Sequence, residues 1–260
     1  MNEVIHLSIT ALIASAGMVL IAAFVSIFLK LRLEKDMLVA VVRAFVQLIL
    51  VGYILDLIFS LDRWFLVSAW LFLMMATASY NAMRRQTKRM SGLTARFFLA
   101  ISISSLVSIL FGVVVIVRPS PFWNPQYLIP IGGMIIGNAM TSSALSINRL
   151  FSEMKTRSGE IEAGLSLGSD VHTATLPAVR AAVKAGMLQV ISTTMVVGLV
   201  HLPGMMTGQI IGGVEPSTAV RYQLIIMYIL IATNALSALF SVILVRRLYF
   251  NERMHLIQPE

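Results

Sequence analysis

The chain has no cysteine among its 260 residues, which excludes disulfides, thiolate metal sites and thiol redox chemistry. Any metal it meets must be taken by other donors. Charge is also scarce: Asp, Glu, Lys and Arg make up 12% of the residues, against 58% hydrophobic. With a strongly positive mean hydropathy, too little polar surface is left to coat a soluble domain of this size. The composition is that of an integral membrane protein. Acid is rarer than base, 12 residues against 20, and the formal net charge of +8 invites a nucleic-acid reading. Placement removes it, because the basic residues gather in short segments between apolar runs, as membrane topology requires. No GxxxxGK(S/T) occurs, so the chain has no phosphate cradle of its own. Nor does a carboxylate lie deep in any apolar run, Asp56 being near the outer end of the second. The intramembrane Asp, Glu or His relay of a proton-coupled carrier is therefore missing.

What remains is a series of apolar runs, each judged against the roughly 20 helical residues that cross a hydrocarbon core. They lie at about Val4 to Leu29, Met37 to Phe59, Trp64 to Asn81, Phe97 to Val117, Ile129 to Leu150, Met187 to Val200 and Tyr222 to Val245. The first is preceded by Glu3 and by no basic residue, unlike a signal peptide, and is taken as mature structure. Basic segments alternate with nearly neutral ones. Lys30 to Lys35, Arg84 to Arg96 (with Lys88 and Arg89), Arg149 to Lys184 and Arg246 to Arg253 fall on one side, while the other holds Arg63, Arg118 and Arg221. The positive-inside rule then predicts an all-α, polytopic protein of about seven transmembrane helices, with its N-terminus outside and its C-terminus cytoplasmic.

Two segments interrupt this pattern. Phe151 to Gly186 is the longest polar stretch, placed in the cytoplasm where it can meet a soluble partner. His201 to Gly213, HLPGMMTGQIIGG, stays apolar, yet Pro203 and four glycines are expected to forbid a regular helix there. It reads either as a re-entrant element lining a cavity or as an ordinary external hairpin.

Candidate functional residues lie along the runs. Arg43 is the one charge well inside a span, at a cost of about 2.5 to 3.5 kcal/mol if it sat at the centre. It either snorkels to the cytoplasmic interface or, with Gln47 one turn on, faces a polar interior. Asn138, Ser142, Ser146 and Arg149 make a polar stripe on the fifth run, with Gly133 and Gly137 as a GxxxG patch on an adjoining face. The stripe suits a pathway lining and helix-to-helix hydrogen bonding equally; the glycines suit close packing. Asn234, Ser237 and Ser241 form a weaker stripe in the last run, and Gln189 and Thr193 another in the sixth. His201, Met205, Met206 and Glu215 cluster in sequence and offer imidazole, thioether and carboxylate donors for a metal, although methionine is also ordinary core filler. His172 and His6 complete no metal site by spacing. Gly164 to Gly168, GLSLG, matches the GxSxG elbow of hydrolases, but that elbow needs a strand and a sheet that this segment lacks, so no catalytic residue is assigned.

Glu160, Glu162, Ala163, Gly164, Leu165 and Gly168 resemble the EAA motif of ABC-transporter permeases, a short cytoplasmic helix that docks into the ATPase subunit. Small residues there allow close backbone approach, and a carboxylate at a helix start is favoured by the dipole. The resemblance becomes specific with RAFVQLILVGY (Arg43 to Tyr53), IPIGGMIIGNAM (Ile129 to Met140), LSLG (Leu165 to Gly168), VGLVHLPGMMTGQI (Val197 to Ile210) and VRYQLII (Val220 to Ile226). Together these are similar to the FetB/YbbM-type permease family, which includes bacterial iron-export permeases and plant permeases linked to aluminium tolerance. The resemblance implies one transmembrane permease domain over 1–260, with a cytoplasmic coupling loop at 151–186 and Pro203 and Gly204 in a possible re-entrant segment at 201–213. It implies a multi-pass protein of the inner (plasma) membrane, acting as a homodimer with a cytoplasmic ATP-binding subunit. ATP and Mg would sit on that partner, with no cofactor on this chain. The implied activity is export of a transition-metal ion, iron first. The alternatives are an ABC permease for another small solute, such as a nucleotide sugar, and a non-transporting membrane scaffold.

Overall fold

The computed structural model describes residues 9–86, 90–251 and 256. His6, Lys88, Arg89, Arg253 and the start of the first apolar run lie outside the described residues. Among those described there are helices and no strand: α1 (Ile9–Phe28), α2 (Glu34–Leu61), α3 (Trp64–Arg84), α4 (Leu93–Ile109), α5 (Pro125–Thr156), α6 (Ser158–Ser166), α7 (Val171–Val196), α8 (Gly204–Ile211) and α9 (Pro216–Arg246). The chain is an all-α membrane protein. Among the described residues five helical stretches are long and apolar enough to cross a bilayer: Glu34–Leu61, Trp64–Arg84, Leu93–Val117, Pro125–Thr156 and Pro216–Tyr249.

The contacts divide the chain into two units, with α1, α2 and Ile211–Gly213 in one and the remainder from Arg63 onward in the other. In the first, the α1–α2 connection turns through two residues of positive φ, Lys30 and Arg32. Ser26, buried to 1% exposure, fastens it: its hydroxyl donates to Glu34 Oε1 at 2.8 Å and accepts from the Leu33 N–H at 3.1 Å.

In the second unit α5 is the hub, packing against α3, α4, α7 and α9. Its start is set by Asn124, whose side chain accepts from the Gln126 N–H at 3.0 Å, with Pro125 at the first helical position. At 32 residues it is about 48 Å long, well beyond a hydrocarbon core of about 30 Å. It is therefore longer than a perpendicular crossing requires. This corrects the expected loop from Phe151: the helix runs on to Thr156 because Phe151 and Met154 are buried (5% and 1% exposed), Phe151 lying against Tyr249 with ring centroids 6.1 Å apart. A periodic apolar face sustains a helix where mean polarity suggests a loop.

The sixth run is corrected likewise. Instead of Met187 to Val200, the helix is Val171–Val196, with Pro177 inside it rather than ahead of it. Its buried face is Thr175, Ala178, Ala182, Gly186 and Val190, spaced at helical intervals but made of residues too small for hydropathy to register. The segment between the two long helices is thus α6 and a four-residue turn. The expectation that no regular helix forms in His201–Gly213 is corrected too: Pro203 stands ahead of the two-turn helix α8, Gly204–Ile211, which stops two residues before Gly213, whose φ is +90°.

Candidate functional site

Two places in the second unit carry unusual chemistry, and they lie at opposite ends of α7. The first is α6. An ion-pair chain stiffens its entry: Arg149 to Glu153 at 2.6 Å, Glu153 to Arg157 at 2.8 Å, and Arg157 to Glu160 at 3.0 Å. Ile161 is buried at 1% exposure and anchors the helix, while Glu160, Glu162 and Ala163 face outward and Gly164 and Leu165 are half-buried. The helix ends in a left-handed residue, Gly168 (φ +88°). The Gly168 N–H donates to the Leu165 carbonyl and the Ser169 N–H to the Gly164 carbonyl, both at 3.0 Å, which closes a Schellman turn. Leu167, which the sequence reading left out, is 88% exposed at the tip.

Asp170 then caps α7, accepting from the His172 N–H at 3.0 Å and the Thr173 N–H at 3.4 Å. Its carboxyl is held below the usual range first by the Thr173 side-chain hydrogen bond, and further by those backbone N–H groups and neighbouring His172, against some desolvation. A lowered folded value means that the stabilisation is present above the unfolded value of about 3.9 and is lost as pH falls through the folded one. Asp170→Ala is therefore expected to melt below the wild type at neutral pH, with the gap closing in acid. Asp170→Asn, which still caps, should show little of that pH dependence.

The second place is a cavity of about 260 Å³ among α5, α7, α8 and α9, on the far side of the bundle from α6. From Asp170 to Gln189 along α7 is about 29 Å at 1.5 Å per residue. Met134 and Asn138 reach the cavity from α5, and Gln189, Thr193 and Thr194 from α7. His201, Pro203, Gly204 and Met205 come from α8 and the segment before it, and Gln223 and Met227 from α9. Asn138 Nδ2 donates to the Met134 carbonyl at 2.9 Å, so its amide oxygen stays available. Gln223 is 6% exposed, and its Oε1 has no hydrogen-bond partner. The sequence reading missed Gln223; the only available signal was a polar residue inside the apolar run that begins at Tyr222.

The sequence-proposed residues divide between these places and plain packing. The polar stripe of α5 splits. Asn138 lines the cavity, but Ser142 and Ser146 are buried at 1% and 0% exposure. The Ser142 hydroxyl donates to the Asn234 carbonyl at 3.0 Å, and Ser146 lies against Gly186 of α7. Asn234 is 3% exposed, with its Nδ2 donating to the Leu230 carbonyl at 2.7 Å, and the Ser241 hydroxyl donates to Ser143 Oγ at 2.8 Å. These residues bind helix to helix. Of the GxxxG pair, only Gly133 meets a neighbour, Met74 Cε of α3 at 3.0 Å from an added Cβ; nothing lies within 4 Å of Gly137. The close α3–α5 approach occurs instead at Gly132, where an added Cβ would lie 2.6 Å from Leu71 Cδ2. The proposed metal cluster also splits: His201 and Met205 face the cavity, whereas Met206 is not in its lining and Glu215 stands exposed ahead of α9. Among the described residues no three His, Asp or Glu side chains come together in a metal-holding group. Arg43 and Gln47 are exposed on α2, along a shallow groove otherwise lined by Leu38, Val39, Val42 and Val46.

Fold and site together define a multi-pass helical membrane protein with a short exposed helical elbow at one end of α7 and a cavity lined by apolar and uncharged polar side chains at the other. The chain belongs to the family described as "Uncharacterised protein family (UPF0014)", whose model matches residues 9–250. It is 39% identical to the UPF0014 membrane protein YjkA of Bacillus subtilis, over 93% of this chain and 95% of that one. It is 35% identical to the Probable iron export permease protein FetB of Escherichia coli, over 92% and 91% of the two chains. It is 33% identical to Protein ALUMINUM SENSITIVE 3 of Arabidopsis thaliana, over 94% and 88%. No solved structure matches the chain.

Proposed function

We propose that the chain is the membrane permease subunit of an ATP-driven exporter of a metal ion, iron first, in the inner (plasma) membrane. The observation that carries this reading is the end-to-end similarity, 35% identity over 92% of the chain, to a protein named as a probable iron export permease. In this reading the permease domain crosses the membrane seven times, N-terminus outside and C-terminus cytoplasmic, and works as a homodimer. A separate cytoplasmic subunit binds ATP and Mg and hydrolyses the ATP. Glu160, Glu162, Ala163 and Leu167 on and after α6 form its docking surface. Motion there passes to the cavity along α5 and α7, which flank α6 and reach the cavity as rigid helices.

The test is ATP hydrolysis by proteoliposomes that contain this chain and its ATPase, titrated with Fe, Mn, Zn and Al salts and a nucleotide-sugar panel. Stimulation by iron, lost in Glu162→Lys while the ATPase alone is unchanged, is the expected outcome. Stimulation only by an organic solute would overturn the metal reading, and failure of any ATPase to co-purify would return the scaffold reading.

A further inference from the structure

We infer that the cavity holds the cargo, and that the cargo enters it as a partly dehydrated divalent transition ion of borderline softness rather than as a hard trivalent one. The inference rests on the permease reading above and specifies the substrate of that same chemistry. Three kinds of donor line the cavity: the His201 imidazole, the Met205, Met134 and Met227 thioethers, and the amide oxygens of Asn138 and Gln223. The last is the pointed observation. Gln223 is 94% buried (6% exposed), and its Oε1 has no partner in the protein. A buried acceptor left unmatched in a polar cavity marks a place where something else supplies the positive end.

The donor set then selects the ion. Imidazole and thioether suit iron(II), cobalt, nickel, copper and zinc, whereas magnesium, calcium, aluminium(III) and iron(III) call for carboxylate or other anionic oxygen. The lining contains neither Asp nor Glu, and neither Lys nor Arg. A neutral site attracts a divalent ion weakly enough to let it leave again, as a transport site requires. A volume of about 260 Å³ leaves room for several waters at about 30 Å³ each, so the ion keeps part of its hydration shell.

The test is equilibrium dialysis of the full chain in lipid nanodiscs, without oxygen, against iron(II), cobalt(II), magnesium(II) and aluminium(III) salts. One iron(II) or cobalt(II) per chain is expected, with no competition from a tenfold excess of magnesium or aluminium. His201→Ala and Met205→Leu should each weaken binding about tenfold or more, and Met206→Leu and Glu215→Gln should leave it unchanged. Gln223→Glu, which adds charge at the unmatched oxygen, should tighten cobalt(II) binding about tenfold, a gain that no folding defect can mimic. Equal binding by wild type, His201→Ala and Gln223→Glu, or displacement by aluminium, overturns the inference. If iron still stimulates ATP hydrolysis of the intact complex in that case, the permease reading stands and the cargo site lies elsewhere. If no metal binds and none stimulates hydrolysis, both readings fall.

Discussion

Gly186→Ala is expected to destabilise the protein by about 1–3 kcal/mol, the usual cost of forcing a methyl group into a filled helix interface. The added Cβ would collide with Ser146 Oγ, and would lie 2.9 Å from the Ser142 carbonyl oxygen and 3.0 Å from its hydroxyl. A serine hydroxyl can swing aside, but the carbonyl belongs to the α5 backbone and moves only if α5 and α7 separate. Alanine's better helix propensity, worth about 0.5–1 kcal/mol, does not offset that. Thermal unfolding of the purified chain should show a loss of roughly 2–4 °C per kcal/mol, larger for Gly186→Leu. Gly137→Ala is the matched control: nothing lies within 4 Å of its added Cβ, so propensity acts alone and the melting temperature should hold or rise. Equal effects at both glycines would refute the packing account of α5 and α7.

Gly168→Val is expected to have the largest effect on coupling. At φ +88° an L-residue pays steric strain of about 1–2 kcal/mol, more if β-branched. Here that strain falls on the Schellman turn that stops α6 and aims the chain at Asp170. The turn should open, exposing the Leu165–Asp170 connection to limited proteolysis, and iron-stimulated ATP hydrolysis should fall about tenfold or more, since 1.4 kcal/mol of misplacement is already tenfold. Gly164→Ala is the contrasting variant. Its added Cβ would meet only Ala174 Cβ at 3.7 Å and Ser169 at 3.9 Å, ordinary contacts, so proteolysis and coupling should stay near wild type. If Gly168→Val also leaves both unchanged, the turn does not set the geometry of α6.

The membrane class and the existence of the long apolar helices α2 to α5 and α9 were legible because burial in lipid needs a length of carbon, and a run of apolar residues states that length directly. Helix ends were less legible. Hydropathy reports where a run of apolar residues ends, and α5 continues past that point to Thr156 because Phe151 and Met154 are still buried, Phe151 against Tyr249. The first half of α7 was missed for a related reason. Its buried face is Thr175, Ala178, Ala182 and Gly186, where the fit depends on smallness rather than on greasiness.

For the candidate sites, spacing placed residues on a common helix face and went no further. Asn138, Ser142 and Ser146 share one face of α5, yet only the first meets a cavity. The other two meet Asn234 and Gly186, which lie 92 and 40 residues further along the chain. His201 and Met205 line a cavity with Gln223, whereas Met206 is absent from that lining and Glu215 is exposed, so closeness in sequence did not bring the four proposed donors to one place.

The sequence by itself determined that this is a cysteine-free, ATP-loop-free, helical membrane protein of a recognisable permease type, since composition, run length and motif are properties of the chain alone. The tertiary structure decided which polar residues are mortar between helices and which line a cavity. That distinction depends on the partner a face meets, and the partner is brought there by packing across long sequence distances.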